Sequence, residues 1–157
     1  LTNTDLGWER KGIATINLLY PDKDFESIAD KIKQFSCTKE VISGHCCLLP
    51  KTSGFSQTFD NWDGKEDGTK SIDMLCLWNC EKTVSFYNLK LLEGEMVKPT
   101  ETGKIMINES AAKALGMNDP VGKKLYQKNR AWTIIGIIKD FHITAPTALY
   151  FSCRGYS

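Results

Sequence analysis

The side chains able to act as nucleophiles or metal ligands are few. His45-Cys46-Cys47 and Cys76-x-x-x-Cys80 together offer thiols and an imidazole, the usual donors of a four-ligand zinc site. Their spacing argues against one. Zinc knuckles set two cysteines on a tight loop, whereas adjacent Cys46 and Cys47 on a strand point to opposite faces. Cys76 falls inside a strand pattern, a place for a small buried hydrophobe. A Cys–His nucleophile would need His45 or His142 as its base, since the chain has no other histidine. His45 is the strand neighbour of Cys46 and faces away from it, and His142 simply follows an apolar strand. Asp60, Asp63, Glu66 and Asp67 crowd a glycine-rich turn, but out of the register of a calcium loop, so a solvated turn is expected. Neither phosphate-binding glycine pattern occurs. These residues lead to an expectation of no catalytic, cofactor-binding or metal-binding residues. The competing reading is a soluble thiol or zinc-dependent enzyme built on Cys46, Cys47, Cys76, Cys80 and His45. A stand-alone ligand-binding module is a third.

The composition narrows the classes. With 157 residues, 41% hydrophobic and 25% charged, the chain can bury a core as one domain or two small subdomains. Seven Phe, five Tyr and four Trp oppose disorder. Twenty Lys+Arg against nineteen Asp+Glu leave a net charge of +1, which removes the bulk electrostatic case for nucleic acid. The aromatic residues are not interleaved with a basic stripe, so a stacking surface for single strands has no support either. The longest apolar run, 132–138, is far short of the roughly 20 residues that cross a bilayer. No signal-peptide pattern opens the chain, which begins at Leu1 and reads as a segment of a longer protein.

The elements that would position these residues follow from periodicity and turn chemistry. Residues 12–20 read as a strand. An amphipathic helix over 22–35 follows, with Phe25, Ile28, Ala29, Ile32 and Phe35 on one face and Asp22 or Asp24 as cap. A strand over 41–47 completes a βαβ-like opening. Residues 49–57 are a loop by composition. Strands are predicted over 58–62 and 71–78, joined by a turn with two Asp-Gly pairs. The second is apolar on both faces, as a central strand is. Asn79 is placed to cap a helix over 81–87, and the stretch 89–92 ends at Gly94. A strand over 104–108 feeds a short helix with Asn108 as N-cap, Gly116 at the left-handed C′ position and Met117 closing a Schellman motif. Strands over 124–128 and 132–139 form a hairpin across Asn129-Arg130. The tail from 144 shows no period. The class is α+β: an N-terminal βαβ portion, then a mixed, mainly antiparallel region.

Several segments, in order, carry a family resemblance. They are Leu6-Gly-Trp-Glu-Arg-Lys-Gly-Ile13, the helix to Phe35 with the strand from Val41, and Phe86-Tyr-Asn-Leu-Lys-Leu-Leu-Glu-Gly94. After them come Ile105-Met-Ile-Asn-Glu-Ser-Ala-Ala-Lys-Ala-Leu-Gly116, Asp119-Pro-Val-Gly-Lys-Lys124 and Ile134-Ile-Gly-Ile-Ile-Lys-Asp-Phe-His142. Together they resemble the MacB-like periplasmic core domain of bacterial ABC-transporter permeases of the FtsX/MacB family, especially its Bacteroidetes versions. Leu89 stands where that family usually has Gly, and Glu95 where it usually has Arg. Cys46, Cys47, Cys76 and Cys80 are outside its pattern.

The resemblance implies a porter-like βαβ portion at 1–47, a Sabre-like inserted subdomain at 48–142, and a tail at 143–157 leading toward a second βαβ element that the chain lacks. It implies a non-catalytic periplasmic domain of an inner-membrane, membrane-embedded parent, coupling cytoplasmic ATP hydrolysis to periplasmic conformational change and to partner or substrate engagement. The implied partners are the ATP-binding cassette subunit or domain, a permease homodimer or paralogue, and in some relatives a periplasmic adaptor and outer-membrane channel. Asn108, Gly116, Gly122 and Asp140-Phe141 then have structural roles only.

Overall fold

The computed structural model describes residues 12–14, 16, 21–42, 55–78, 80–98, 100–141 and 150–153. Helix α1 (Pro21–Lys33) opens on a proline, whose missing N–H costs nothing in the first turn, and ends with Lys31 and Lys33 at the negative end of its dipole. Ala29 is buried, and Phe25, Ile28 and Ile32 are half-buried, as the period predicts. Phe35 departs from that prediction. The helix stops at Lys33 and tightens into i→i+3 turns, Gln34 N to Lys31 O and Phe35 N to Ile32 O, which swing the Phe35 ring into solvent, 64% exposed. The strand expected over 12–20 is not seen in its described part, since 12–14 and 16 belong to no regular element; its remainder, and the strand from 43 onward, lie outside the described residues.

The rest forms one mixed sheet, α+β as expected. Its strands are β1 (Phe55–Phe59), β2 (Asn61–Trp62), β3 (Ile72–Trp78), β4 (Leu91–Gly94), β5 (Lys104–Asn108), β6 (Lys124–Gln127), β7 (Arg130–Ile138) and β8 (Tyr150–Cys153). Two helices interrupt them, α2 (Cys80–Phe86) and α3 (Glu109–Ala114). The spatial order is β1-β3-β8-β5-β7-β6-β2, with β4 on β7. Pairing is mainly antiparallel, with β3·β8 and β5·β7 parallel. The two ends of this path, β1 and β2, are consecutive in the chain and separated by Asp60 alone. The sheet therefore returns to its first strand, a closed barrel-like ring.

Closure explains one correction. The single strand expected over 58–62 starts earlier, at Phe55, within the stretch read as loop, and breaks at Asp60. Before the break it pairs with β3, after it with β6. Phe59 and Trp62 are both buried although three residues apart, so Asp60 shifts the alternation by one, as a bulge does at a barrel corner. The hairpin turn is also displaced by one residue. It is Lys128-Asn129, with Lys128 at φ +50°, and β7 begins at Arg130.

A second correction concerns the tail. Residues 150–153 form β8, inserted between β3 and β5. A four-residue strand paired on both sides need not alternate in polarity, so its sequence gives no period to detect. Asn79, expected to cap α2, lies outside the described residues.

The inner face of the ring holds the core. Trp62, Leu125 and Trp132 stand abreast across β2, β6 and β7, Ile105 pairs with Ile134, and Phe59 with Ile72. Phe59, Ile105, Leu125 and Ile134 are fully buried, each contributing about 1.5–3 kcal/mol through apolar burial. Gln57 Oε1 and Trp132 Nε1 are buried without a hydrogen-bond partner among the described residues. On the outer face Met106 and Ile138 pack with Val84 and Tyr87 of the α2 segment and with Leu89, Val97 and Phe141. Ile13 and Ile42 lie against this second cluster, which joins the N-terminal segments to the sheet.

Helix α3 closes as expected. Asn108 Oδ1 accepts from Ala111 N (3.2 Å), and Gly116 takes φ +67°. Gly116 N donates to Lys113 O and Met117 N to Ala112 O, the two bonds of a Schellman motif. The Trp62 indole Nε1–H donates to the Leu115 carbonyl at 2.9 Å, a buried bond that ties the β2 edge to the end of α3. Trp62→Phe leaves that carbonyl without its partner and is expected to cost about 1–3 kcal/mol. A lower urea midpoint with an unchanged slope would report it.

Where β4 crosses β7 the backbones nearly touch. Gly94 and Gly136 are register partners, and Glu95 N donates to Ile135 O at 2.8 Å. A Cβ on Gly94 would lie 2.1 Å from that same oxygen, and one on Gly136 would lie 2.4 Å from Glu95 O. Both positions need glycine for the close approach itself.

Candidate functional site

The thiol and imidazole set does not assemble into a described site. Cys76 lies in β3, opposite Phe55 and Phe151 in register, and Cys80 starts α2. His45, Cys46, Cys47 and His142 lie outside the described residues. Among the described residues no three of His, Cys, Asp and Glu stand close enough to hold a metal. Cys37, just past α1, is an exposed free thiol.

The acidic turn separates into two kinds of residue. Asp60, Glu66 and Asp67 are exposed, as a solvated turn requires. Asp63 is different and corrects that reading. Its Oδ2 accepts from Lys124 N (2.8 Å), its Oδ1 from the Tyr126 hydroxyl (2.9 Å), and its own N–H donates to Lys124 O (3.0 Å). Asp63 thus fastens the turn to β6, beside the strand that closes the ring. The hydrogen bond to Asp63 raises the Tyr126 phenol above its ordinary value, with burial second and the carboxylate charge third. A raised pKa favours the protonated phenol, so Tyr126 keeps its donor proton through neutral pH and gives it up as alkaline pH ionises the phenol. Beside it, the Lys65 ammonium sits 4.9 Å from the Trp62 ring centroid, a cation–π contact.

Among the described residues, the densest polar arrangement lies at the adjoining ends of the parallel strands β5 and β7. Asp140 Oδ1 accepts from Asn108 Nδ2 (2.7 Å) and from Ser110 N (2.9 Å), and Oδ2 accepts from Ser110 Oγ (2.6 Å). In return Glu109 Oε2 accepts from Asp140 N (3.0 Å). Asn108 is 1% exposed and also caps α3, so one side chain bonds in two directions. The first turn of α3 supplies free N–H groups, and the carboxylate two residues past β7 is placed to accept one of them. Chemically the cluster is a clasp: three donors converge on one carboxylate. Sequence reading assigned Asn108 its cap and Asp140 the end of a strand. It missed their junction, for which the available signal was the side-by-side ending of two parallel strands in polar residues.

A smaller pair stands at the loop before β5. Glu101 Oε1 accepts from Lys104 Nζ (2.7 Å) and its Oε2 from Lys98 N (3.1 Å). The Lys104 bond, then the Lys98 bond, hold the Glu101 carboxyl below its ordinary range. The same pairing raises Lys104. The pair is solvent-accessible and positions the loop without contributing much to stability.

Comparison with known proteins gives a likeness of fold. No protein-family model and no curated protein matches the sequence. Among solved structures, the chain is similar to the extracellular domain of the noncanonic ABC-type transporter YknZ from Gram-positive bacteria. That match has a TM-score of 0.57 and 14% identity, over 82% of this chain and 61% of that one. The periplasmic region of MacB from Actinobacillus actinomycetemcomitans matches with a TM-score of 0.49 and 19% identity, over 82% of this chain and 54% of that one. The chain therefore spans less than two thirds of the length of either structure. No helix among the described residues is long and apolar enough to cross a membrane.

Proposed function

We propose that this chain is a periplasmic domain of an ABC-transporter permease in an inner membrane, and that it works mechanically. The observation that carries the reading is the fold shared with the YknZ extracellular domain over 82% of this chain. The sequence resemblance supports it independently, and its motifs take up the structure's most constrained positions. Gly94 and Gly136 make the β4–β7 crossing, while Asn108 and Asp140 make the clasp. A transmission element needs a rigid body whose parts move together, and these contacts supply rigidity.

On this reading the N-terminal part, 1–47, is porter-like, the region 48–142 is the inserted subdomain, and the tail from 143 contributes β8 to the latter. The driving partner is the ATP-binding cassette on the cytoplasmic side, the permease acts as a homodimer or with a paralogue, and a periplasmic adaptor with an outer-membrane channel is a further partner. Cys37 provides the test because its thiol is exposed. In the whole reconstituted permease complex, with other reactive cysteines replaced by serine, a fluorophore on Cys37 is expected to change signal when ATP binds across the membrane. An unchanged signal while hydrolysis proceeds would refute the coupling role.

A further inference from the structure

Two Asp-Gly pairs stand four residues apart in the turn between β2 and β3, and the fold treats them differently. Each occupies the centre of a β-turn. Lys65 N donates to Trp62 O (3.1 Å) across Asp63-Gly64, and Thr69 N to Glu66 O (3.1 Å) across Asp67-Gly68. Gly64 and Gly68 take φ +81° and +84°, the third position of a type II turn. Glycine leaves the amide that follows each aspartate unshielded by a Cβ, and nothing stands within 4 Å of where one would be.

We propose that Asp67-Gly68 is a site of spontaneous isoaspartate formation and that the fold protects Asp63-Gly64 from the same reaction. The Gly68 nitrogen attacks Cγ of Asp67, forming a C–N bond and giving up its proton, and the carboxyl loses its hydroxyl, so that one water leaves. Water then opens the five-membered imide at either carbonyl. Opening at the α-carbonyl leaves the main chain running through the side-chain carbon, with no net change of mass and no oxidant. Ring closure requires the aspartate to turn its carboxyl onto the next amide. Asp67 is exposed, its carboxylate has no hydrogen-bond partner among the described residues, and a single backbone bond closes its turn. Local opening there disturbs little. Asp63 must first surrender Lys124 N, the Tyr126 hydroxyl and its own bond to Lys124 O.

The consequences differ as well. An extra main-chain methylene at Asp67 falls in an exposed turn. At Asp63 it would withdraw the carboxylate from β6 at the place where the ring closes.

The test is to age the chain at neutral pH and physiological temperature, folded and in urea. Isoaspartate is located by peptide mapping and by enzymatic methyl transfer from S-adenosylmethionine. In the folded chain the ratio of isoaspartate at Asp67 to that at Asp63 is expected to exceed the ratio in urea by at least about tenfold, since several hydrogen bonds must break at Asp63 alone. Tyr126→Phe, which removes one of them, is expected to raise isomerisation at Asp63 and leave Asp67 unchanged. Equal ratios in folded and denatured chains, an absence of isoaspartate at Asp67, or no response of Asp63 to Tyr126→Phe would each overturn the proposal.

Discussion

Gly94→Ala is expected to destabilise the chain by at least about 3 kcal/mol, from overpacking and an unfavourable backbone angle together. The added methyl would lie 2.1 Å from Ile135 O and 2.9 Å from Gly136 Cα, both main-chain atoms that cannot rotate aside. Ile135 O is also the acceptor for Glu95 N, so moving it breaks the bond that holds β4 to β7. The φ of +77° adds the left-handed cost of a non-glycine residue. Gly68→Ala isolates the second contribution, since Gly68 has φ +84° with open space around it. That variant should lose only about 1 kcal/mol. Urea denaturation of the two proteins side by side checks this, and similar midpoints would mean that the crossing is looser than its geometry indicates. Against a total of about 5–15 kcal/mol for an ordinary domain, the Gly94 variant should be close to unfolding at body temperature.

Asp140→Ala should cost about 2–3 kcal/mol, because three donors lose one charged acceptor and Asn108 is almost fully buried beside it. Asp140→Asn retains an acceptor for Asn108 Nδ2 and Ser110 N and alters only the contact with Ser110 Oγ, a hydroxyl that can turn to accept. Its loss should stay near 1 kcal/mol. Asn108→Ala removes the α3 cap and this partner of the carboxylate together, for about 1–2 kcal/mol. The Asn108→Ala/Asp140→Ala double variant should then fall short of the sum of the single losses, since both remove the same bond. Additive losses would show that the clasp does not act as a unit.

The local devices around α3 were legible in the sequence because they depend on neighbours in the chain. Asn108 precedes a helical run, Gly116 follows it, and Met117 comes next, so turn chemistry alone locates both ends. The apolar faces of β3 and β7 were legible by the same logic. What escaped depends on partners far apart in sequence. Asp63 looked like one acid among four, and only the arrival of β6 against it distinguishes it from Asp67. Asp140 looked like a strand terminus until β5 is placed parallel to β7. Phe35 fits the helical period yet falls beyond the point where the helix stops. Residues 150–153 form a strand because β3 and β5 flank the gap they fill, a condition no local window contains.

That last strand also governs the order in which the molecule can be made. Tyr150 pairs with Leu75, and Cys153 with Ile105, so the ring cannot be completed until the end of this stretch has been synthesised. Until then β3 and β5 each present a row of unpaired main-chain groups, an invitation to strand exchange with neighbouring chains. Contacts this distant in sequence slow folding, because chain entropy is lost before they form. The interval between translation of β5 and the arrival of β8 is therefore the vulnerable window in the life of the chain. Any shortening that removes residues 150–153 should convert a slow folder into an aggregating one.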